Sequence, residues 1–155
     1  MGDVDDDLRT RLVAAYPSIR RFAAVVGPAD VEPDDLVQDA FVAILRRGGE
    51  GIDDLDAYLR RTVLNLSSNE RRRWLRRQRA HERQVVVTEA VSTTFVDVAE
   101  LLQLPPDVRA VLWLAEVEGW NHAEIGRLLG CSEEAARARA SRGRRRLRLA
   151  LVEEA

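Results

Sequence analysis

Two segments of the sequence concentrate arginine, the side chain best suited to pairing with phosphate. Residues 58–84 carry nine arginines against two acidic residues, net +7, and residues 119–155 carry eight arginines against five acidic residues, net +3. Arginines that neutralise phosphates release condensed counterions, so such clusters are typical of nucleic-acid binding. A solvated helix face is the alternative for either cluster alone. Two clusters in one chain favour a nucleic-acid-binding protein.

Acidic segments precede each of these clusters. Residues 1–57 have a net charge of −7 and residues 85–118 a net charge of −5, which leaves the whole chain at −2. All 24 basic residues are arginine, and codon bias explains this as well as a need for bidentate phosphate contacts does. The alternation of charge along the chain is therefore more informative than its sum.

The residue types exclude several classes of protein. We find no nucleophile–base pair, no metal-ligand cluster and no glycine-rich phosphate loop, so we expect no catalytic residues, no metal and no cofactor. The single cysteine, Cys131, cannot form an internal disulfide. Neither a long apolar run nor a basic leader is present, so we expect a cytoplasmic location and no membrane insertion.

The second arginine cluster follows the residues expected at helix ends. Asn121 with Glu124 predicts a capping box, Gly130 a left-handed helix end, and Ser132 the cap of a longer last helix. A short helix, a tight turn and a longer helix together predict a helix-turn-helix. An ordinary helical hairpin is the alternative that spacing alone leaves open.

Two faces of the last helix follow from helical spacing. Ala136, Ala140, Gly143 and Leu147 form the inward stripe. The outward face then carries Arg137, Ala138, Ser141, Arg142 and Arg145, while Arg139 lies towards the flank. In a recognition helix the outward arginines reach base edges and the flanking ones reach phosphates. This arrangement favours the helix-turn-helix over the hairpin.

The first half also shows helical periodicity, and we predict an all-α fold. Pro17 should kink or split a helix over residues 5–26. Pro33 and Gly48 bound a second helix, and a third runs from about residue 54 to 79, where arginines replace the apolar stripe beyond Leu66. Residues 84–99 lack this periodicity and predict a linker between two small helical domains.

Three stretches together resemble a known family: "DLVQDAFVAIL", "YLRRTVLNLSSNERRR" and "LPPDVRAVLWLAEVEGWNHAEIGRLLGCSEEAARARASRGRRRLRLAL". Their order and spacing are similar to those of bacterial sigma factors of the extracytoplasmic-function group of the sigma-70 family. The resemblance implies sigma region 2 over residues 1–82, a linker over 83–100 and sigma region 4, a helix-turn-helix, over 101–155. It also implies core RNA polymerase and promoter DNA as partners, and it leaves an anti-sigma factor open as a third.

The resemblance assigns roles to three sets of residues. Those expected at the minus-10 element are Arg60, Arg61, Asn65, Ser68, Asn69, Arg71, Arg72 and Arg73. Those expected at the minus-35 element are Arg137, Ala138, Arg139, Ser141, Arg142 and Arg145. Those expected to dock on the polymerase β′ clamp are Asp35, Gln38, Asp39 and Phe41, while region 4 would grip the β flap.

This chain departs from the family at the start of the last helix. Ala135 and Ala138 stand where members usually carry hydroxyl side chains, so fewer groups can hydrogen-bond to the minus-35 element. The inward stripe is thin at Ala140 and Gly143, and we expect Trp113 and Trp120 to fill the space. A helix-turn-helix regulator that acts without polymerase is the alternative function. The exposed acidic face of the second helix argues against it.

Overall fold

A computed structural model describes residues 2–81 and 101–153 of the chain, and within these ranges the regular structure is entirely helical. The six helices are α1 (Gly2–Val26), α2 (Pro33–Arg47), α3 (Leu55–His81), α4 (Pro106–Glu116), α5 (His122–Leu129) and α6 (Glu133–Glu153). The all-α prediction is confirmed. Most of the predicted linker, up to residue 100, lies outside the described residues.

Helix α1 continues through Pro17 without interruption. Proline lacks a backbone N–H and crowds the carbonyl one turn earlier, which here belongs to Val13. Both Pro17 and Val13 are exposed, so water can hydrogen-bond the carbonyl that loses its helical donor. The expectation that Pro17 splits this helix is therefore wrong.

Helix α2 begins and ends where the sequence predicts. Pro33 occupies its first turn, where a missing N–H has no consequence. Gly48 follows its last residue with a φ of 81°, and its N–H donates to the carbonyl oxygens of Ile44 and Leu45, each at 3.1 Å. This left-handed conformation favours glycine, which has no Cβ. The helix thereby stops before the turn into α3.

Helices α1, α2 and α3 enclose the core of the first half, and each contributes its apolar stripe. The fully buried large side chains of this core are Leu12, Ile19, Phe22, Val26, Val37, Ile44, Leu59 and Val63. The stripe on α3 ends within its first half, so the later turns of that helix are dominated by arginine. The packing thus fixes α3 through its N-terminal half.

The predicted caps define the second half. The Asn121 side chain accepts from the Glu124 N–H at 2.9 Å, and the Glu124 carboxylate accepts from the Asn121 N–H at 3.0 Å, which completes the capping box. Gly130 ends α5 with a φ of 69°, and the Ser132 hydroxyl accepts from the Ala135 N–H at 3.1 Å. These contacts place α5 and α6 in a helix-turn-helix.

Two glycines allow the helices of the second half to approach closely. A Cβ on Gly126 would lie 2.7 Å from the carbonyl oxygen of Cys131. A Cβ on Gly143 would lie 2.8 Å from Val108 Cγ1 and 3.0 Å from Leu112 Cδ1. Both distances are shorter than ordinary van der Waals contact, so α5 packs on its turn, and α6 on α4, only because these residues lack side chains.

The two tryptophans of this half are half-buried against the core, but side chains of α4 occupy the space next to Gly143. The Trp113 indole N–H donates to the Glu118 carboxylate at 2.9 Å. The Trp120 ring lies 5.3 Å from the guanidinium carbon of Arg60 in the first half. Close helix packing therefore fills the predicted gap beside Gly143, and Trp120 takes part in the contact between the halves.

The buried apolar residues of the two halves form one continuous cluster, which brings α3 next to α4 and α5. In the ranges that the structure describes, no helix is both long enough and apolar enough to span a membrane.

Candidate nucleic-acid interface

Four candidate residues of α3 line one stripe of the helix surface. Arg61, Asn65, Ser68 and Arg72 lie at i, i+4, i+7 and i+11, so they share a face. Arg61, Asn65 and Arg72 are exposed and Ser68 is half-buried. An amide and a hydroxyl between two arginines can hydrogen-bond an unstacked base while the guanidiniums pair with phosphates on either side.

The face of α3 around Asn65 opposes the second half of the molecule across a cleft of about 200 Å³. On the α3 side the cleft is lined by Arg61, Leu64, Asn65 and Ser68. On the other side it is lined by Asp107, Leu128, Leu129 and Arg139. The Arg61 guanidinium spans the cleft and donates to the Leu128 carbonyl at 3.3 Å. The stripe therefore faces α4, α5 and α6 and is not fully open to solvent.

Arg60, which we expected at a DNA phosphate, is 3% exposed. Its guanidinium forms ion pairs with Asp56 on its own helix and with Glu118 of the second half, the latter at 2.8 Å. It also lies between the rings of Phe22 and Trp120, with centroids 5.8 Å and 5.3 Å away. In this arrangement, Arg60 cannot reach a phosphate.

The later turns of α3 present the remaining candidates outwards. Asn69, Arg72 and Arg73 are exposed, while Arg71 is half-buried. Arg73 pairs with Glu70 at 3.0 Å in an exposed ion pair. Such pairs contribute only about 0.2–1 kcal/mol, so a phosphate can displace the carboxylate at little cost. This end of α3 is accessible to a polyanion without any change in the protein.

On α6, the outward face matches the predicted recognition surface at most positions. Arg137, Ser141, Arg142 and Arg145 are exposed, and Ala138 is half-buried. Their i, i+4 and i+8 spacing from Arg137 to Arg145 places them along one side of the helix. Arginine and hydroxyl donors in this arrangement can contact base edges in a major groove.

Arg139 and Arg144 face α4, and not this outward surface. Arg139 pairs with Asp107 at 3.6 Å and contacts the Cys131 sulfur at 3.4 Å, and Arg144 pairs with Glu116. Both contacts fasten the last helix to α4. Sequence spacing placed Arg139 among the DNA contacts, but the structure gives it a packing role in this arrangement because an acidic partner lies on the neighbouring helix.

The predicted polymerase-docking residues lie on α2. Asp35, Gln38 and Asp39 are exposed, whereas Phe41 is half-buried at the boundary with α1, where its ring meets Tyr16 edge-on with centroids 6.4 Å apart. Three carboxyl or amide groups beside an aromatic ring can bind a basic, partly apolar partner.

A polar cluster beside this surface was missed by sequence reasoning. The Tyr16 hydroxyl donates to Asp34, and Arg20 pairs with the same Asp34 oxygen at 3.0 Å. The hydrogen bond from Tyr16, together with Arg20, lowers the pKa of Asp34, and the same bond raises the pKa of Tyr16. The i, i+4 spacing of Tyr16 and Arg20 was the available signal, but only the fold brings Asp34 to them.

No group of three or more histidine, cysteine, aspartate or glutamate residues is placed to hold a metal ion in the part of the chain that the structure describes.

Comparison with known proteins gives matches to one class of protein. The family model "Sigma-70, region 4" matches residues 98–147. The ECF RNA polymerase sigma factor SigM of Mycobacterium tuberculosis is 27% identical over 142 residues, covering 85% of this chain and 70% of SigM. The ECF RNA polymerase sigma factor EcfG of Rhodopseudomonas palustris is 28% identical over 152 residues, covering 92% of this chain and 83% of EcfG.

The fold agrees with these matches along nearly the whole chain. The sigma factor RpoE of Bartonella quintana, in its complex with the anti-sigma factor NepR, superposes with a TM-score of 0.74 at 22% identity, covering 94% of this chain and 96% of RpoE. Because the similarity includes both halves, it extends beyond the helix-turn-helix that region 4 shares with other regulators. The chain is therefore a member of the extracytoplasmic-function sigma factors of the sigma-70 family.

Proposed function

We propose that this chain binds core RNA polymerase and directs it to specific promoters, as an alternative sigma factor. The observation that carries the proposal is the presence, in one chain, of two separate arginine-rich helices, α3 and α6, together with the acidic surface of α2. Two DNA-contacting helices allow two promoter elements to be read at once. The acidic surface provides a place for a third partner, the polymerase.

We assign the first half, residues 1–82, to region 2, which binds polymerase and the minus-10 element. Asn65 would take an unstacked base of the opened duplex, with Ser68 and Asn69 beside it. Extruding a base costs a few kcal/mol, and base contacts together with phosphate neutralisation by nearby arginines offset that cost. The arginines given this role are Arg60, Arg61, Arg71, Arg72 and Arg73.

We assign residues 101–155 to region 4, with residues 83–100 as the linker. The exposed side of α6 would enter the major groove at the minus-35 element through Arg137, Ser141, Arg142 and Arg145. Ala138 lies among them and offers only apolar contact, for example with a thymine methyl group. Fewer hydrogen-bond donors on this helix predict a looser reading of the minus-35 element.

The polymerase contact is assigned to Asp35, Gln38, Asp39 and Phe41 on α2, with the β′ clamp as partner. Region 4 would contact the β flap. The role is non-catalytic, because the polymerase supplies the chemistry, and it places the chain in the cytoplasm. An anti-sigma factor is a further partner that we propose, supported by the likeness to RpoE, which was solved with NepR.

Assembly with polymerase tests this function against a regulator that acts alone. The purified chain should elute with core RNA polymerase as a one-to-one complex on size exclusion. The double variant Asp35→Asn, Asp39→Asn should elute separately, whereas Asp53→Asn, which removes an exposed carboxylate from the turn before α3, should still co-elute. A wild-type chain that binds DNA but never co-elutes with the polymerase would support the regulator instead.

A further inference from the structure

Arg109 on α4 joins the second half of the molecule to the end of α1. It is 2% exposed, and its guanidinium donates to the carbonyl oxygens of Val26 at 3.1 Å and Gly27 at 3.2 Å. The last carbonyls of a helix have no partner within it and form the negative end of its dipole, so a cation is favourable there. A residue of region 4 thereby caps a helix of region 2.

Arg60 and Glu118 form a second contact between the halves. Arg60 carries almost no exposed surface, and Glu118 accepts its guanidinium N–H at 2.8 Å while also accepting from the Trp113 indole. A carboxylate and a phosphate present similar oxygens to a guanidinium. Glu118 therefore occupies the position that a DNA phosphate would need in order to reach Arg60.

These contacts and the promoter strand compete for the same face of α3. Arg61 is bound to the Leu128 carbonyl, and Asn65 and Ser68 open only into the cleft of about 200 Å³ beneath α5 and α6. A nucleotide whose base reaches Asn65 also brings its sugar and phosphates, so it needs more room than this cleft provides. Contact between the halves and capture of the minus-10 strand therefore exclude each other.

The closed arrangement is opposed by the burial of Arg109. Among the described residues this guanidinium has no carboxylate partner, and its Nε has no hydrogen-bond partner. Burial lowers the pKa of Arg109 to about 10, and the positive charge of Arg71 lowers it further. Part of the energy of the interface is thus spent on holding a desolvated cation near a like charge, which keeps opening within reach of a binding partner.

We propose that region 4 covers the minus-10 face of α3 in the free chain, held by the Arg60–Glu118 and Arg109–α1 contacts, and that the face becomes available only when the halves separate. The proposal rests on the assignment of that face to the promoter strand. Free chain would then bind single-stranded DNA weakly, and polymerase, by binding both halves apart, would expose the face where it is needed.

Two glutamates of neighbouring position provide a matched test in the full-length chain. Glu118→Gln keeps the shape of the side chain and an oxygen for Trp113 but removes the charge that holds Arg60 across the interface. Glu116→Gln removes the partner of Arg144, an ion pair confined to the second half. The readouts are the radius of gyration from small-angle X-ray scattering and the affinity for a fluorescein-labelled single-stranded DNA of mixed sequence.

The Glu118→Gln chain should have a larger radius of gyration than wild type and bind the DNA about threefold or more tightly, because the open fraction scales the apparent affinity. Glu116→Gln should match wild type in both. Arg60→Ala should expand the chain without the gain in affinity, since it removes the DNA contact together with the ion pair. Arg109→Met, at a second contact, should also expand the chain.

An unchanged radius of gyration in both Glu118→Gln and Arg109→Met would overturn the proposal. Expansion without any gain in affinity for the Glu118→Gln chain would also overturn it, since the face would then not be covered. Failure of the sigma-factor assignment is distinguishable, because it would appear as wild-type chain that does not assemble with polymerase while the variants still expand.

Discussion

Asn65 shows how a side chain acquires a role from its position on a helix. Its amide is exposed at the centre of the stripe that Arg61 and Arg72 bound, so it combines two donors and an acceptor with nearby positive charge. Helical spacing alone predicted that grouping. Spacing could not predict that the stripe faces the second half, because the residues that line the opposite wall lie about 40 to 75 positions later in the chain.

We predict that Asn65→Ala leaves assembly with polymerase intact but abolishes strand opening, since the flipped base loses its hydrogen bonds. Permanganate reactivity of thymines in the promoter bubble measures this. Thr10→Ala, an exposed polar-to-alanine change on α1, serves as the control and should leave reactivity unchanged. Normal reactivity in the Asn65→Ala complex would remove this residue from the base-binding site.

Helix boundaries were the most predictable features at the scale of elements. Pro33, Gly48, Asn121, Gly130 and Ser132 act through their own backbone or immediate neighbours, so each could be read locally. The closeness of α4 to α6 could not, because it depends on which residues meet across the interface. Gly143 was expected to thin the core, but it is what lets Val108 and Leu112 approach.

Gly143→Ala should therefore destabilise the second half. Alanine favours a helix interior by about 1 kcal/mol over glycine, but the added Cβ would meet Val108 and Leu112, and overpacking of this kind costs about 1–3 kcal/mol. Thermal unfolding followed by circular dichroism measures the balance, with Ser141→Ala on the exposed side of α6 as the control. A higher melting temperature for Gly143→Ala would contradict the packing described here.

The boundary between α1 and α2 makes a prediction about pH. Because the pKa of Asp34 is lowered in the folded chain, its contribution to stability is present above the ordinary carboxyl pKa and is lost as the pH falls through the folded value. Tyr16→Phe removes the largest cause of the shift, so the pKa of Asp34 should rise towards its ordinary value. Carboxyl NMR titration tests this, and Tyr58→Phe, whose hydroxyl accepts from Arg47, is the matched control. An unchanged Asp34 pKa in Tyr16→Phe would assign the shift to Arg20 alone.

For the whole molecule, the sequence predicted two helical modules and their charges but not how the modules meet. Arg60 and Arg109 look like surface residues in any local window, and their burial depends on Glu118 and on the end of α1, 58 and about 82 positions away. Such contacts carry no local periodicity. The order of acidic and basic segments, by contrast, was enough to suggest a protein that meets both DNA and a second macromolecule.

Run-off transcription with purified core RNA polymerase on genomic fragments tests the central claim most directly. The wild-type chain should give transcripts that begin at defined sites and are absent with core enzyme alone, and Arg142→Ala should reduce them by weakening the upstream contact. Fragments that the chain binds without producing any transcript, at every salt concentration that permits polymerase activity, would contradict its assignment as an initiation factor.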